Sequence, residues 1–208
     1  MNSSSNRPVG VFDSGIGGLT VAQAIKKTLP NEQFLYFGDT AHLPYGEKSS
    51  NAIKQYILDI GQFLIEKGCK ALVIACNSAS SVFDTYPELA EQLPIKVIDV
   101  IIPVVQEVAH SNGSEIGIIG THQTIGSGVY ENKLLEENPG LRVQSLATPL
   151  LAPMIEEGFI NNKISKAVIH DYLKQFDHLE SLILGCTHYP LVKPEINNYF
   201  EGKVNLLD

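Results

Sequence analysis

The sequence holds three cysteines, and two of them stand where a thiol could move a proton. Cys76 closes the run Leu72-Val73-Ile74-Ala75. Cys186 closes Leu182-Ile183-Leu184-Gly185. Each follows an apolar, strand-like stretch and precedes a polar residue, Asn77 or Thr187. A thiol at the start of a helix gains from the helix dipole and from free N–H groups, which lowers its pKa from about 8.5. A buried free cysteine is otherwise most often a small hydrophobe. Cys69, after Gly68 at a helix end, fits that description and is assigned no role. Two activated thiols facing one carbon from opposite sides could remove a proton from one face and return one to the other.

Asp13 and His188 are the natural assistants. A carboxylate or an imidazole within hydrogen-bond reach of a thiol can take or return its proton. Other chemistries fit the same residues less well. Asp13-Ser14-Gly15-Ile16-Gly17-Gly18 has the look of a phosphate-cradling turn, but it is not GxxxxGK[ST] and lacks the third glycine of GxGxxG. Cys76, Cys186 and His188 could be three zinc ligands, but no regular finger spacing exists. A Cys-His hydrolase needs only one cysteine and leaves the second unexplained.

These residues must be positioned by elements. Short β-branched runs alternate with helical periodicity along the chain. Strands are expected over 9–12, 34–37, 71–75, 96–100, 115–119, 142–147 and 181–184. Helices are expected from the glycine turn to about 29, where Pro30 stops the first, and over 125–137, 150–157 and 164–176. The clearest helix begins at Ser49 or Ser50 and repeats Ile53, Ile57, Ile60 and Leu64 on one face, with Gly68 beyond its end. A helix also follows Cys76. Regular βα alternation predicts an α/β fold with parallel strands. Ligands of such sheets sit beyond the carboxyl ends of the strands. Four polar clusters fall there: Asp13-Ser14, residues 39–46, Cys76-Asn77-Ser78 and Cys186-Thr187-His188.

The order also repeats. VGVFDSG near residue 10 matches IGIIGTH near residue 117, and LVIACNS matches LILGCTH 110 residues later. Two similar doubly wound domains are expected, residues 1–98 and 99–208, related by pseudo-symmetry, each lending one cysteine to a cleft between them. The 208 residues are 44% apolar, so each half can bury a core. Fifteen basic against 23 acidic residues give a net charge of -8, which disfavours nucleic acid and anionic membranes as partners. No run of about 18 apolar residues would span a bilayer, and the polar start MNSSSNRP shows no secretory core. Three cysteines without a CxxC suit a reduced, cytoplasmic protein rather than a disulfide framework.

The motifs closely resemble those of the glutamate racemases in the aspartate/glutamate racemase superfamily. The matching segments are Val11-Phe12-Asp13-Ser14-Gly15-Ile16-Gly17-Gly18-Leu19, Phe37-Gly38-Asp39 with Pro44-Tyr45-Gly46, Ala75-Cys76-Asn77-Ser78-Ala79, Gly120-Thr121 and Gly185-Cys186-Thr187-His188-Tyr189-Pro190. The resemblance implies interconversion of L- and D-glutamate, with the product feeding peptidoglycan synthesis. It implies that the cysteine at Cys76 takes the α-proton of D-glutamate and the one at Cys186 that of L-glutamate, with Asp13 and His188 as auxiliary acid/base groups. Asp13, Ser14, Tyr45, Gly46, Asn77, Ser78, Thr187 and His188 match substrate-binding positions. Neither pyridoxal phosphate nor a metal is implied. Family members are commonly homodimers, though arrangements vary.

The sequence departs from the family at three places. Ser78 stands where the family usually has threonine, which keeps the hydroxyl. The stretch around His122 and Gly126 varies in the family, and neither residue is assigned a role. Family members usually continue past residues 204–208 into an Asp-Ser pair and a helix that returns to the first domain. The sequence stops at Asp208, so the expectation is a trimmed form or a first domain without that helix. Rival readings are a truncated, inactive glutamate-binding form, an aspartate racemase, and a Cys-His amidohydrolase that would release ammonia or amine.

Overall fold

The computed structural model describes residues 7–111 and 113–208, and the polar start at residues 1–6 lies outside them. The chain divides between Val100 and Ile101 into two compact units. In the first, β1 (Val9–Asp13), α1 (Leu19–Thr28), β2 (Phe34–Gly38), α2 (Ser50–Glu66), β3 (Ala71–Ile74), α3 (Asn77–Thr85), α4 (Glu88–Gln92) and β4 (Lys96–Asp99) follow one another. In the second the order is α5 (Ile101–Ala109), β5 (Glu115–Gly120), α6 (His122–Gly126), α7 (Val129–Glu137), β6 (Arg142–Ala147), α8 (Leu151–Glu156), α9 (Lys163–Leu173), β7 (Ser181–Gly185), α10 (Lys193–Tyr199) and β8 (Asn205–Leu207). Single 3-10 turns lie at Tyr45–Glu47 and Tyr189–Val192.

Both sheets are four-stranded and fully parallel, with the same strand order, β2-β1-β3-β4 and β6-β5-β7-β8. Alternate residues of the central strands feed opposite faces, as the two-residue period of a strand requires. Phe12, Leu72 and Ile74 join the α2 face, while Val11, Val73 and Ala75 face Val21, Ala22 and Ile25 of α1. In the second unit Leu182 and Leu184 pack with α8, α9 and α10, and Ile116, Ile118 and Ile183 pack with α5 and α7. Helices therefore cover both faces of each sheet, which is why the strands read as unbroken apolar runs.

Helix α2 forms as its pattern dictates. The Ser49 side chain caps it by accepting from the Ala52 N–H. Ile53, Ile57, Ile60 and Leu64 are all buried against the sheet. Each such side chain contributes roughly 1.5–3 kcal/mol by leaving water.

The structure differs from the sequence reading in five elements, one of them the short helix α10, which was not expected. Residues 122–137 form two helices, because Gly128 adopts φ 68°, a left-handed conformation that ends the helical path before α7 begins. Helix α5 occupies a segment to which the sequence reading assigned no element. Its Pro103 lies in the first turn, where a missing N–H costs nothing. Helix α4 and strand β8 are too short to carry a period. β8 is defined by its pairing with β7.

Ile57→Ala is expected to lower stability by about 2–5 kcal/mol, because the site is closed on all sides. Ile164→Ala, at a half-exposed position, should stay within roughly 0.5 kcal/mol. Thermal unfolding of the two variants against the parent checks both.

Candidate active-site half-sites

In a sheet of order 2-1-3-4 the chain leaves the first strand in one direction and returns on its other side. The crevice lies at the carboxyl ends of the first and third strands, where that reversal occurs. In the first unit these are the ends of β1 and β3, and in the second those of β5 and β7. Asp13 ends β1, and Cys76 lies two residues beyond β3. Gly120-Thr121 closes β5, and Cys186 immediately follows β7. The sequence-assigned residues therefore gather, within each unit, at the topological switch point.

The first half-site is built on close backbone packing. A side chain at Gly18 would put its Cβ 2.5 Å from the Asp13 Cβ, so only glycine lets the start of α1 lie on Asp13. The glycine-rich turn thus seats a buried carboxylate, a use that the phosphate-cradle reading missed. Asp13 is wholly buried, and its Oδ2 accepts from the Gly15 N–H at 3.0 Å. The Tyr36 hydroxyl donates to the Gly15 carbonyl at 2.8 Å and holds the turn from the neighbouring strand.

Cys76 is the N-cap residue of α3, and Asn77 and Ser78 open that helix, both buried. Its Sγ donates to Ser14 Oγ at 3.7 Å. The expectation that helix position lowers this thiol is corrected here. Burial, and then the Asp13 carboxylate, push it up to about 12, although the backbone N–H groups of Ala79 and Ser14 and the Ser14 hydroxyl pull the other way. A nearby negative charge and lost solvation both oppose a thiolate.

Residues 39–46 form the other wall of this half-site. Asp39 is buried, and the Tyr45 hydroxyl donates to its Oδ2 at 2.6 Å. His42 Nδ1 lies 2.9 Å from the same carboxylate and stacks on Tyr56. The Leu43–Pro44 peptide is cis, and it leads into the 3-10 turn where Tyr45 and Gly46 are both buried. Burial and the Asp39 contact push the Tyr45 hydroxyl far above its ordinary range, so it stays a donor. Asp39 stands in a motif segment and in the 39–46 cluster, but it was assigned no role of its own from the sequence. An aspartate one residue beyond a strand, six before a motif tyrosine, was the available signal.

In the second half-site Cys186 Sγ lies 3.6 Å from His188 Nδ1, the reach expected of an assistant. His188 is 8% exposed. Its Nε2 is 2.9 Å from Glu156 Oε1 at the end of α8, an ion-pair distance that lacks hydrogen-bond alignment. Glu156 went unrecognised in the sequence, because 32 residues separate it from His188 and only the packing of α8 brings them together. Thr187 is buried between the two functional side chains in sequence. No α-helix starts at Cys186. The turn there passes into the 3-10 segment Tyr189–Val192, so the helix-start expectation holds for Cys76 alone. Cys69 is buried against Gly10 with Leu64, two residues before β3 and away from the carboxyl ends of the strands.

Among the described residues no three His, Cys, Asp or Glu side chains converge as a metal would require. No helix among them is long and apolar enough to cross a membrane.

Residues 17–208 match the family model described as Asp/Glu/hydantoin racemase. A curated glutamate racemase of Streptococcus pneumoniae (strain Hungary19A-6) is 42% identical over 205 residues, which is 98% of this chain and 77% of that protein. The crystal structure of glutamate racemase from Francisella tularensis subsp. tularensis SCHU S4 in complex with D-glutamate superposes with a TM-score of 0.91 at 41% identity, covering 98% of this chain and 76% of that one. The Escherichia coli glutamate racemase, solved with L-glutamate and the activator UDP-MurNAc-ala, gives 0.79 at 26% identity over 97% of this chain and 77% of that one.

The raised Cys76 thiol has a direct consequence. Its thiolate fraction should grow about ten-fold per pH unit through pH 9, with no plateau near the usual pKa of about 8.5. Asp13→Asn removes the charge that opposes the thiolate, so Cys76 should alkylate faster at pH 8. Iodoacetamide labelling with peptide mapping reads both, and an early plateau or a slower variant would contradict the assignment.

Proposed function

The chain belongs to the Asp/Glu/hydantoin racemase family, and on that premise we propose that it interconverts L- and D-glutamate with two cysteine bases and no cofactor. It is an amino-acid racemase, an isomerase. One observation carries the two-base reading. Cys76 and Cys186 stand at equivalent strand ends of two sheets with one strand order, each at its own switch point.

In the L-to-D direction the Cys186 thiolate takes the α-proton of L-glutamate and becomes a thiol. The electron pair left on the α-carbon takes a proton from the Cys76 thiol on the opposite face. D-glutamate and a Cys76 thiolate result, and the reverse reaction restores the first state. Protons and charge balance without pyridoxal phosphate or a metal. A Cys76 thiol held up to about 12 suits the donor's part in this direction. His188, touching Cys186 and paired with Glu156, can accept and return the proton of that thiol. Asp13 serves Cys76 in the same way, while the Ser14 hydroxyl holds that thiol in place at 3.7 Å.

The substrate's carboxylates need donors that cost little to preorganise. Ser14, Tyr45, Gly46, Asn77, Ser78 and Thr187 supply hydroxyls, an amide and backbone N–H groups at the strand ends. Glutamate as substrate is supported by the relatives solved with D-glutamate and with L-glutamate. Supply of D-glutamate to peptidoglycan synthesis in the cytoplasm completes the reading.

The test is α-proton exchange. In heavy water the protein should incorporate deuterium at the α-carbon while inverting either enantiomer of glutamate. Folded protein that does neither would refute the proposal, and faster turnover of aspartate would move it to that substrate. Cys76→Ala and Cys186→Ala should each lower kcat by at least about 10²-fold. Cys69→Ala should leave it unchanged, and equal losses at all three would mean that the thiols are structural.

A further inference from the structure

The second half-site contains a hydroxyl pair that nothing in the reaction uses. Tyr189 is fully buried, and its OH lies 2.7 Å from Thr148 Oγ1. Thr148, also fully buried, stands one residue beyond β6. Its N–H donates to the Gly120 carbonyl at 2.8 Å, and its hydroxyl lies 3.2 Å from the same oxygen. Gly120 is the last residue of β5. The Tyr189 OH also reaches the Thr148 carbonyl at 3.2 Å. At its other end Tyr189 donates its backbone N–H to the Cys186 carbonyl at 3.1 Å. The thiol turn is therefore tied, through the Tyr189 side chain and Thr148, to the ends of β6 and β5.

The first unit has a counterpart with a different load. Asp39, one residue beyond β2, donates its N–H to the carbonyl of Asp13, the last residue of β1, at 3.0 Å. A buried tyrosine hydroxyl, that of Tyr45, again binds its side chain. The geometry of the strand ends is the same, yet the tyrosine comes from a different loop. In the first unit the latch holds the loop bearing Tyr45 and Gly46. In the second it holds the turn bearing Cys186, Thr187 and His188.

We propose that Tyr189 and Thr148 form a positioning pair that holds Cys186 and His188 in register for proton transfer, without touching substrate. The inference rests on the two-base reading above. Once the pair is broken, each remaining hydroxyl keeps only its longer 3.2 Å bond to a backbone carbonyl, and a buried hydroxyl so poorly matched favours a shift of the turn that shortens that bond. Proton transfer depends steeply on such placement. Because the pair acts on Cys186 alone, its loss should be felt unevenly by the two thiols.

Tyr189→Phe and Thr148→Val each break the pair, and Thr148→Ser retains the hydroxyl. In the first two variants kcat should fall about ten-fold. The α-deuterium isotope effect should rise for L-glutamate, whose proton Cys186 takes, and not for D-glutamate. Iodoacetamide labelling of the whole protein should show the Cys186 rate falling about three-fold relative to Cys76, as the thiol loses its imidazole contact. Thr148→Ser should restore all three. If Tyr189→Phe does not fold, the contrast between Thr148→Val and Thr148→Ser decides. An unchanged or raised labelling ratio, equal isotope effects for the enantiomers, or a serine variant that behaves like valine overturns the proposal. Labelling needs no turnover, so a parent protein that exchanges no α-proton would refute the racemase reading without deciding this one.

Discussion

Pairing between the first and third strands of each sheet is the constraint on which the rest of the structure depends. β1 runs beside β3 with Phe12 opposite Ile74, and β5 beside β7 with Gly120 opposite Gly185. Parallel pairing places the carboxyl ends of both strands at one edge, and the strand order opens a crevice between the connections that leave them. Asp13 and Cys76 are brought together by that register. A shift of one residue in either strand would turn its side chains to the opposite face. The apolar alternation that fills the two layers therefore also fixes the position of the chemistry.

The two half-sites share a frame and differ in chemistry. Around Cys76 stand a carboxylate, a hydroxyl and backbone N–H groups. Burial and the negative charge outweigh the donors, and the thiol is held protonated. Around Cys186 stand an imidazole and, behind it, a carboxylate. A racemase must be able to start from either enantiomer, but nothing requires its two bases to be tuned alike. The two-base reaction proposed above requires only that one thiol be charged when the other is not. Unequal surroundings favour one such distribution in the free protein.

Much of this was legible in the chain. The α2 stripe, the Ser49 cap and the strand 142–147 follow from period and capping chemistry that act over a few residues. Cys76, Cys186, Asp13 and His188 could be picked out because each sits beside a strand end. Glu156 and Thr148 could not be singled out, because neither stands in a motif and each gains its meaning from a partner at a distance in sequence. Asp39 stands in a motif segment, but it was assigned no role of its own from the sequence. Helix α5 was hidden because Ile101-Ile102-Pro103-Val104-Val105 reads as β-branched and proline-broken, whereas its burial against β5 and α7 makes it helical.

The sequence by itself determined the α/β alternation, the repeated strand-end cysteines and the polar residues beside them, because periodicity and turn chemistry are local. Tertiary structure alone decided the electrostatic state of those groups. The amino-acid order places Cys76 at a helix start, which argues for a lowered pKa. Packing buries it beside Asp13, and desolvation with a like charge reverses the sign. Likewise, only folding sets Glu156 behind His188 and Thr148 against Tyr189, since those contacts exist only where distant segments share one buried space.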